Sequence, residues 1–374
     1  MKCRHCSAEL TLQLVDLGET PPSNAFHLVQ HEREKTYPLR VLVCTECWLA
    51  QTDISQFELG YDELFTDEYP YFSSTSAGFV VQARRYVETV TKRFDLGPDS
   101  LTIEVGSNDG YLLQWVKTPC YGIEPTMTGE VAKAKRIQSC SNFFTSDFAH
   151  HARGWRGPAD LMIANNVLAH VPDVNDFVKG FQILLKDTGV ATFEFPHLLN
   201  LVRFNQFDTI YHEHYSYLSM TSVKSILHRA GLSIFDVEKL QTHGGSLRVY
   251  ADKGLRTVSA AVLNVLAEER AAGMLETQFY EGFQTAVNRV KDEFLQFALD
   301  AKRLRRTVVG FGAAAKGNTF LNYAGVKSDL IAYVVDETPA KQGKFLPGSR
   351  IPVVASFITR PDYVVILPDR KSVV

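Results

Sequence analysis

A chain of 374 residues has room for two or three domains with separate cores, and its 45% hydrophobic and 22% charged residues are those of a folded globular protein. A single small module, a disordered chain and a coiled-coil or collagenous one are excluded. A formal net charge of −3 provides no basic field for nucleic acid or an anionic membrane, and no apolar run nears the ~20 residues of a membrane span.

The first residues, Met1-Lys2-Cys3-Arg4-His5-Cys6, lack the apolar stretch of a signal peptide, so a cytoplasmic location is expected, where paired cysteines indicate metal rather than disulfides. Cys3 and Cys6, then Cys44 and Cys47, bracket a turn-rich Leu17-Gly18-Glu19-Thr20-Pro21-Pro22 and a strand-like Leu39-Arg40-Val41-Leu42-Val43. This predicts a small metal-stapled domain over 1–60. Residues 61–76 carry Tyr61, Phe65, Tyr69, Tyr71 and Phe72 among acids and serines, too polar for a core and too aromatic for an idle linker, and are expected to form a connector lining a site. A helical pattern over 79–93 leads into Leu101-Thr102-Ile103-Glu104-Val105, and units then alternate: strands at 119–123 and 160–164, a helix over 174–185, a strand at 190–195. Such alternation predicts a parallel sheet with helices on both faces. A helix over 222–230 closed by Gly231, and a β pair of 234–237 with 246–249, end this domain near 253. From 259 to 306 the pattern is helical, with Phe283, Val287, Val290, Phe294, Phe297, Ala301 and Leu304 forming one stripe expected to pack on its own domain. A strand at 307–309 entering Gly310-Phe311-Gly312, with strands at 331–335 and 363–367, predicts a second βαβ domain over 254–374.

Four thiolates from Cys3, Cys6, Cys44 and Cys47 suit a tetrahedral Zn²⁺, and because such a site is closed to water and substrate the metal is read as structural. The isolated Cys120 and Cys140 read as packing residues. After the strand at 101–105, Glu104-Val105-Gly106-Ser107-Asn108-Asp109-Gly110 turns toward a helix expected from Tyr111-Leu112-Leu113, and its glycines let the backbone approach a ligand. Glu124, ending the next strand, is placed to accept both hydroxyls of a ribose. The run Asn205-Gln206-Phe207-Asp208-Thr209-Ile210-Tyr211-His212-Glu213-His214-Tyr215-Ser216-Tyr217 concentrates histidines, acids and phenols. Alternate residues of an extended segment point to opposite sides and no third ligand of the zincin type follows, so acid–base work is favoured over a metal site. His170, in Asn165-Asn166-Val167-Leu168-Ala169-His170, follows another strand of the same sheet and is expected in the same crevice.

A G-x-x-x-G turn preceded by Glu resembles motif I of the S-adenosylmethionine methyltransferases rather than a dinucleotide fingerprint. With the 207–216 run, His243-Gly244-Gly245-Ser246-Leu247-Arg248 and Gly310-Phe311-Gly312-Ala313-Ala314-Ala315-Lys316-Gly317-Asn318-Thr319, the chain resembles the sugar C-methyltransferases of antibiotic deoxysugar pathways. The likeness covers essentially the whole sequence, including the cysteine pairs and Tyr71-Phe72-Ser73-Ser74. It implies an α/β protein with a small zinc-binding domain, a Rossmann-like class I methyltransferase domain over 77–253 and a Rossmann-like C-terminal domain, acting on a dTDP-linked 4-keto-deoxysugar. By motif it implies His214 as catalytic base, with Tyr211, Glu213, His170 and Tyr71 in the active site; Tyr69 competes for the last alignment. It implies S-adenosylmethionine on Glu104, Gly106, Asn108, Asp109, Gly110, Glu124 and Asn165, and substrate on Lys316, Asn318 and Arg248. The family runs on past Ile366-Leu367-Pro368, whereas this chain closes with Asp369-Arg370-Lys371-Ser372-Val373-Val374, so part of the last domain is expected to be missing.

Two alternatives remain open at this point. Gly310-Phe311-Gly312-Ala313-Ala314-Ala315 after a strand, with Asp336 ending a later one, suits the G-x-G-x-x-A of an NAD(P)-dependent oxidoreductase, although too few residues follow for a complete dinucleotide fold. A non-catalytic nucleotide-sugar-binding protein is the other, against which the acid–base cluster weighs. The expectation is a monomeric enzyme with a small-molecule substrate and no nucleic-acid or membrane partner.

Overall fold

In the computed structural model, which describes residues 1–30, 34–55, 64 and 72–367, the chain begins as a meander of β1 (Leu12–Thr20), β2 (Tyr37–Val43) and β3 (Ala50–Thr52). The turn expected at 17–22 is corrected over residues 17–20. β1 runs on to Thr20 through a register shift between Asp16 and Glu19, where Gly18 adopts φ 74°. A glycine in the left-handed region admits the extra residue of a bulge without ending the ladder, so strand pairing overrides the local turn composition.

The central layer follows: α1 (Ala77–Arg93), β4 (Thr102–Val105), β5 (Cys120–Ile123), α2 (Thr128–Ala134), β6 (Ser139–Cys140), α3 (Ser146–Arg156), β7 (Ala159–Asn165), α4 (Val174–Leu184), β8 (Leu185–Pro196), α5 (Leu198–Arg203), β9 (Ser216–Tyr217), α6 (Met220–Arg229), β10 (Ser233–Leu240) and β11 (Ser246–Asp252). The seven-stranded sheet has the order β10-β11-β8-β7-β4-β5-β6, parallel from β8 to β6, with β11 antiparallel to both of its neighbours. Its central strands are near-continuous apolar runs because helices cover both faces: Phe181, Val223 and Leu227 pack with Phe193 in one core, and Tyr86, Val87 and Val90 of α1 pack with Leu161, Ile163 and Val190 in another. Asp173 starts α4 by accepting the N–H groups of Asn175 and Asp176 at 3.1 and 3.0 Å, and a Ser219–Ser222 capping box starts α6, which stops before Gly231 at φ 84°.

The helix expected from Tyr111 is absent; the segment makes one 3-10 turn, Leu113–Trp115. Too few residues separate Gly110 from Pro119 for a helical crossover before β5 begins. β9 leaves this sheet altogether and pairs with β3, so the segment after His214 is the fourth strand of the N-terminal sheet, β1-β2-β3-β9.

The helical stretch at 259–306 divides into α7 (Ala260–Ala271) and α8 (Phe283–Arg303), separated by Gly273 and Gly282, both in the left-handed region. The α8 stripe does not serve one domain. Phe283 and Val287 pack with Leu14, Val41 and Tyr217, whereas Ala301 packs with Val308 and Leu321, and Leu304 is exposed. The helix thus spans two cores. Beyond it, β12 (Val308–Phe311), α9 (Ala315–Tyr323), β13 (Val334–Val335), β14 (Val353–Val354) and β15 (Tyr363–Ile366) form a parallel sheet in the order β14-β13-β12-β15. Among the described residues no helix is long and apolar enough to cross a membrane.

Candidate active site and metal centre

The two cysteine pairs converge. The four Sγ atoms of Cys3, Cys6, Cys44 and Cys47 lie within 4.8 Å of one another, with Cys3–Cys47 at 3.6 Å and Cys6–Cys44 at 3.5 Å. A tetrahedron with Zn–S of about 2.3 Å has S···S edges of roughly 3.8 Å, so this donor set fits a closed zinc site. Gln51 on β3 donates Nε2–H to Cys3 Sγ at 3.2 Å, the kind of outer contact that orients a ligand.

A cavity of about 280 Å³ opens at the carboxyl ends of β4, β5 and β7, lined by Gly106, Asn108, Glu124, Asn165, Asn166 and His170 among others. Gly106 has φ 69°, and a Cβ there would stand 2.5 Å from Val167 Cγ2, so the turn can pass so close only without a side chain. Glu124 accepts the Asn108 N–H at 2.9 Å and the Thr126 hydroxyl at 2.7 Å, and its burial pushes the carboxyl up. Asn165 Oδ1 and Asn166 Nδ2 are buried without a hydrogen-bond partner. Two amide side chains and a carboxylate thus line one cavity beside a glycine cradle, residue types that fit the amino acid and ribose ends of S-adenosylmethionine. Glu104 sits behind the cavity lining, 1% exposed, with neither oxygen bonded, and burial pushes its carboxyl well above the usual range. Asp109 and Asn108 turn partly elsewhere: Asp109 Oδ2 accepts the Ser74 hydroxyl and Asn108 Oδ1 the Ser73 N–H, tying the 73–75 turn to the glycine loop. Gly110, at φ 76°, lies outside the lining, pressed against Ile137 and Ala132.

The 205–217 run is folded rather than extended, and this changes the reason for its geometry. The His214 N–H bonds the Tyr211 carbonyl at 2.9 Å, a turn that brings the Tyr211 and His214 rings to 4.0 Å and leaves His212 on the other side, against Tyr37. His212 is 1% exposed, and burial lowers its pKa to about 4. His214 donates Nδ1–H to the Thr209 carbonyl at 2.8 Å and His170 donates Nδ1–H to the Glu213 carbonyl at 2.9 Å, since a carbonyl can only accept. The two imidazoles are 4.6 Å apart, with His170 on the cavity wall. Glu213 accepts from Asn24 Nδ2 at 2.5 Å. Tyr71 and its competitor Tyr69 lie outside the described residues.

On the far side of this cluster, α9 brings in the C-terminal sheet. Asn318 donates Nδ2–H to the Ser23 carbonyl at 3.1 Å, and Thr319 donates its hydroxyl to the Ile210 carbonyl at 3.0 Å. Lys316 is near enough to Asp208 to oppose the upward push of burial on that carboxyl. Arg248, expected on the substrate, is instead engaged within the methyltransferase sheet. It is ion-paired to Glu194 at 2.5 Å and stacked 4.2 Å over Tyr86, because a guanidinium buried on β11 needs a counter-charge. Asp336, which the oxidoreductase alternative gives to a ribose, closes its own turn by accepting the N–H groups of Ala313 at 2.7 Å and Thr338 at 2.8 Å. Ser23 and Asn24 escaped the sequence reading; Pro21-Pro22 ahead of them marks a loop but says nothing of where it docks.

Three family models match in tandem: "Putative zinc binding domain" over residues 3–56, "Methyltransferase domain" over 81–237 and "C-methyltransferase C-terminal domain" over 241–371. The C-methyltransferase NovU of Streptomyces niveus is 32% identical over 381 residues, covering 98% of this chain and 89% of that protein. Among solved structures, an S-adenosylmethionine-dependent methyltransferase from Clostridium acetobutylicum ATCC 824 has a TM-score of 0.39 at 11% identity, over 47% of this chain and 92% of that one. Magnesium protoporphyrin IX methyltransferase (ChlM) from Synechocystis PCC 6803 with bound S-adenosylmethionine has a TM-score of 0.34 at 17% identity, over 46% and 79%. The similarity to NovU along nearly all of both chains, on top of a Cys₄ centre and a glycine-lined cavity at the sheet's carboxyl edge, makes this chain a member of the S-adenosylmethionine-dependent C-methyltransferase family.

Proposed function

We propose that the chain methylates the carbon next to the ketone of a dTDP-linked 4-keto-deoxysugar, through an enolate formed by His214, in deoxysugar biosynthesis. Such a carbon becomes nucleophilic only after it loses a proton, so the enzyme needs a base beside it and donors around the developing oxyanion. S-Adenosylmethionine, when bound, supplies an electrophilic methyl group. The observation that carries the reading is the tautomer of the two imidazoles: both Nδ1–H groups are given to backbone carbonyls, so in the neutral His214 ring the basic nitrogen is Nε2. His214 Nε2 takes the proton and the C–H electron pair moves into the enolate. Tyr211 O–H and His170 stand beside the developing oxyanion to hydrogen-bond it; one well-placed donor is worth about 3 kcal/mol. Glu213 orients its neighbours, while Lys316 and Asn318 on α9 take the nucleotide end of the substrate.

Incubation with S-adenosylmethionine and a panel of dTDP-4-keto sugars should add one methyl group to carbon, read by mass spectrometry. His214→Asn should lower turnover by about 10²–10⁴ while leaving S-adenosylmethionine affinity nearly intact. A His214→Asn enzyme at near wild-type rate, beside a dead His170→Asn, would reverse the two assignments.

A further inference from the structure

We propose that Arg4, lodged inside the first cysteine pair, is a positioning residue that holds the chain on the C-terminal side of His214, so that the cysteine knuckle keeps that imidazole in register. The inference rests on the reading of His214 as the base. Within Cys3-Arg4-His5-Cys6 the two residues between the thiols face opposite anchors. His5 is keyed into the methyltransferase helices. Its ring bonds Asn175 of α4 at 2.7 Å and Ser225 of α6 at 2.9 Å, and its carbonyl accepts from Asn175 and Arg229 at 2.9 and 3.1 Å.

Arg4 points the other way. Its guanidinium forks across two backbone carbonyls, Thr52 at the end of β3 at 2.9 Å and Tyr215 just after His214, while its backbone N–H bonds Gln51 at 3.0 Å. Thr52 makes the same junction from its own side, with N–H to the Tyr215 carbonyl at 3.0 Å and hydroxyl to the His214 carbonyl at 2.6 Å. The carbonyls of His214 and Tyr215 are therefore both held by groups of the N-terminal unit, and β9 continues that unit's sheet directly afterwards. Lysine cannot reproduce this arrangement, since one ammonium does not fork two carbonyls in fixed geometry. On the other side of the ring, Nδ1 is tied to Thr209. Loss of the Arg4 fork would leave the imidazole held from that side and by Thr52, with freedom to shift along the chain.

The test compares Arg4→Met and Arg4→Lys with the wild type in four measurements: zinc content, S-adenosylmethionine affinity, kcat, and hydrogen exchange of the 50–53 and 209–217 peptides. Arg4→Met should keep its zinc and bind S-adenosylmethionine within about twofold, yet lose about 10- to 100-fold in kcat, the size of effect a displacement near 1 Å produces. Its 209–217 peptide should exchange faster, and Arg4→Lys should recover part of both losses. Wild-type kcat and unchanged exchange in Arg4→Met would overturn the proposal, as would losses of zinc and cofactor affinity in step with kcat. If Arg4→Met fails to fold, Arg4→Lys at wild-type kcat and exchange overturns it. His214→Asn, assayed in parallel, separates the two readings: near wild-type turnover there sinks the base assignment, while the exchange data still decide the anchoring.

Discussion

Gly106→Ala tests the cofactor cradle with a quantity that can be worked out beforehand. Position 106 sits at φ 69°, where an L side chain costs roughly 1–2 kcal/mol. The new methyl would also stand 2.5 Å from Val167 Cγ2, an overlap that well-packed interiors resolve at about 1–3 kcal/mol. Together these predict a loss of about 2–5 kcal/mol, or roughly 4–20 °C in the midpoint for a domain of this size, followed by scanning calorimetry. S-Adenosylmethionine affinity should fall with it, because Gly106 and Val167 line the same cavity. Two companions separate the contributions. Val167→Ala in the Gly106→Ala background removes the clashing Cγ atoms and should restore the overpacking share but not the backbone share, a non-additivity that a double-mutant cycle reads directly. Gly18→Ala, at φ 74° with no atom within 4 Å of the new Cβ, should cost only the backbone share. The reasoning is refuted if Gly106→Ala costs no more than Gly18→Ala, or if Val167→Ala rescues nothing.

Chelator-washed protein should retain about one zinc per chain by elemental analysis, lost in Cys44→Ser and kept in a His212/His214 double variant; the converse pattern would move the metal to the histidines. Glu124→Ala should weaken S-adenosylmethionine binding by about 1.5–3 kcal/mol in calorimetry, the range for hydrogen bonds to a charged group, and unchanged affinity would remove Glu124 from the site. His212 has a folded pKa of about 4 against an ordinary value near 6.5, so the unfolded chain binds the extra proton and stability falls as pH drops from about 6.5 to 4. The loss amounts to about 3 kcal/mol, complete below the folded pKa, and denaturation of His212→Phe should show a shallower acid limb.

The periodicities that place β4, β7, β8, α4 and α6 are carried by the sequence itself, because buried parallel strands need continuous apolar runs and capped helices announce their ends within a few residues. The cysteine centre was equally legible: two x₂ spacings hold four thiols to one chemistry wherever the chain goes between them. The residues that surround His214 were not. That His212 turns away could be read, but the reason is a turn closed at Tyr211 rather than the alternation of an extended strand, and which carbonyl sets each imidazole's tautomer depends on contacts local patterns do not encode. Arg248 matched a motif yet is held by Glu194, since the register of β11 against β8 sets the two residues side by side. The α8 stripe could announce a buried face but not that its two ends enter different cores. Likewise the pairing of β9 with β3, which brings Arg4 and Thr52 to the carbonyls beside His214, joins segments far apart in the chain through backbone hydrogen bonds that any sequence can make. Their partners are chosen only when the sheets and helices have packed.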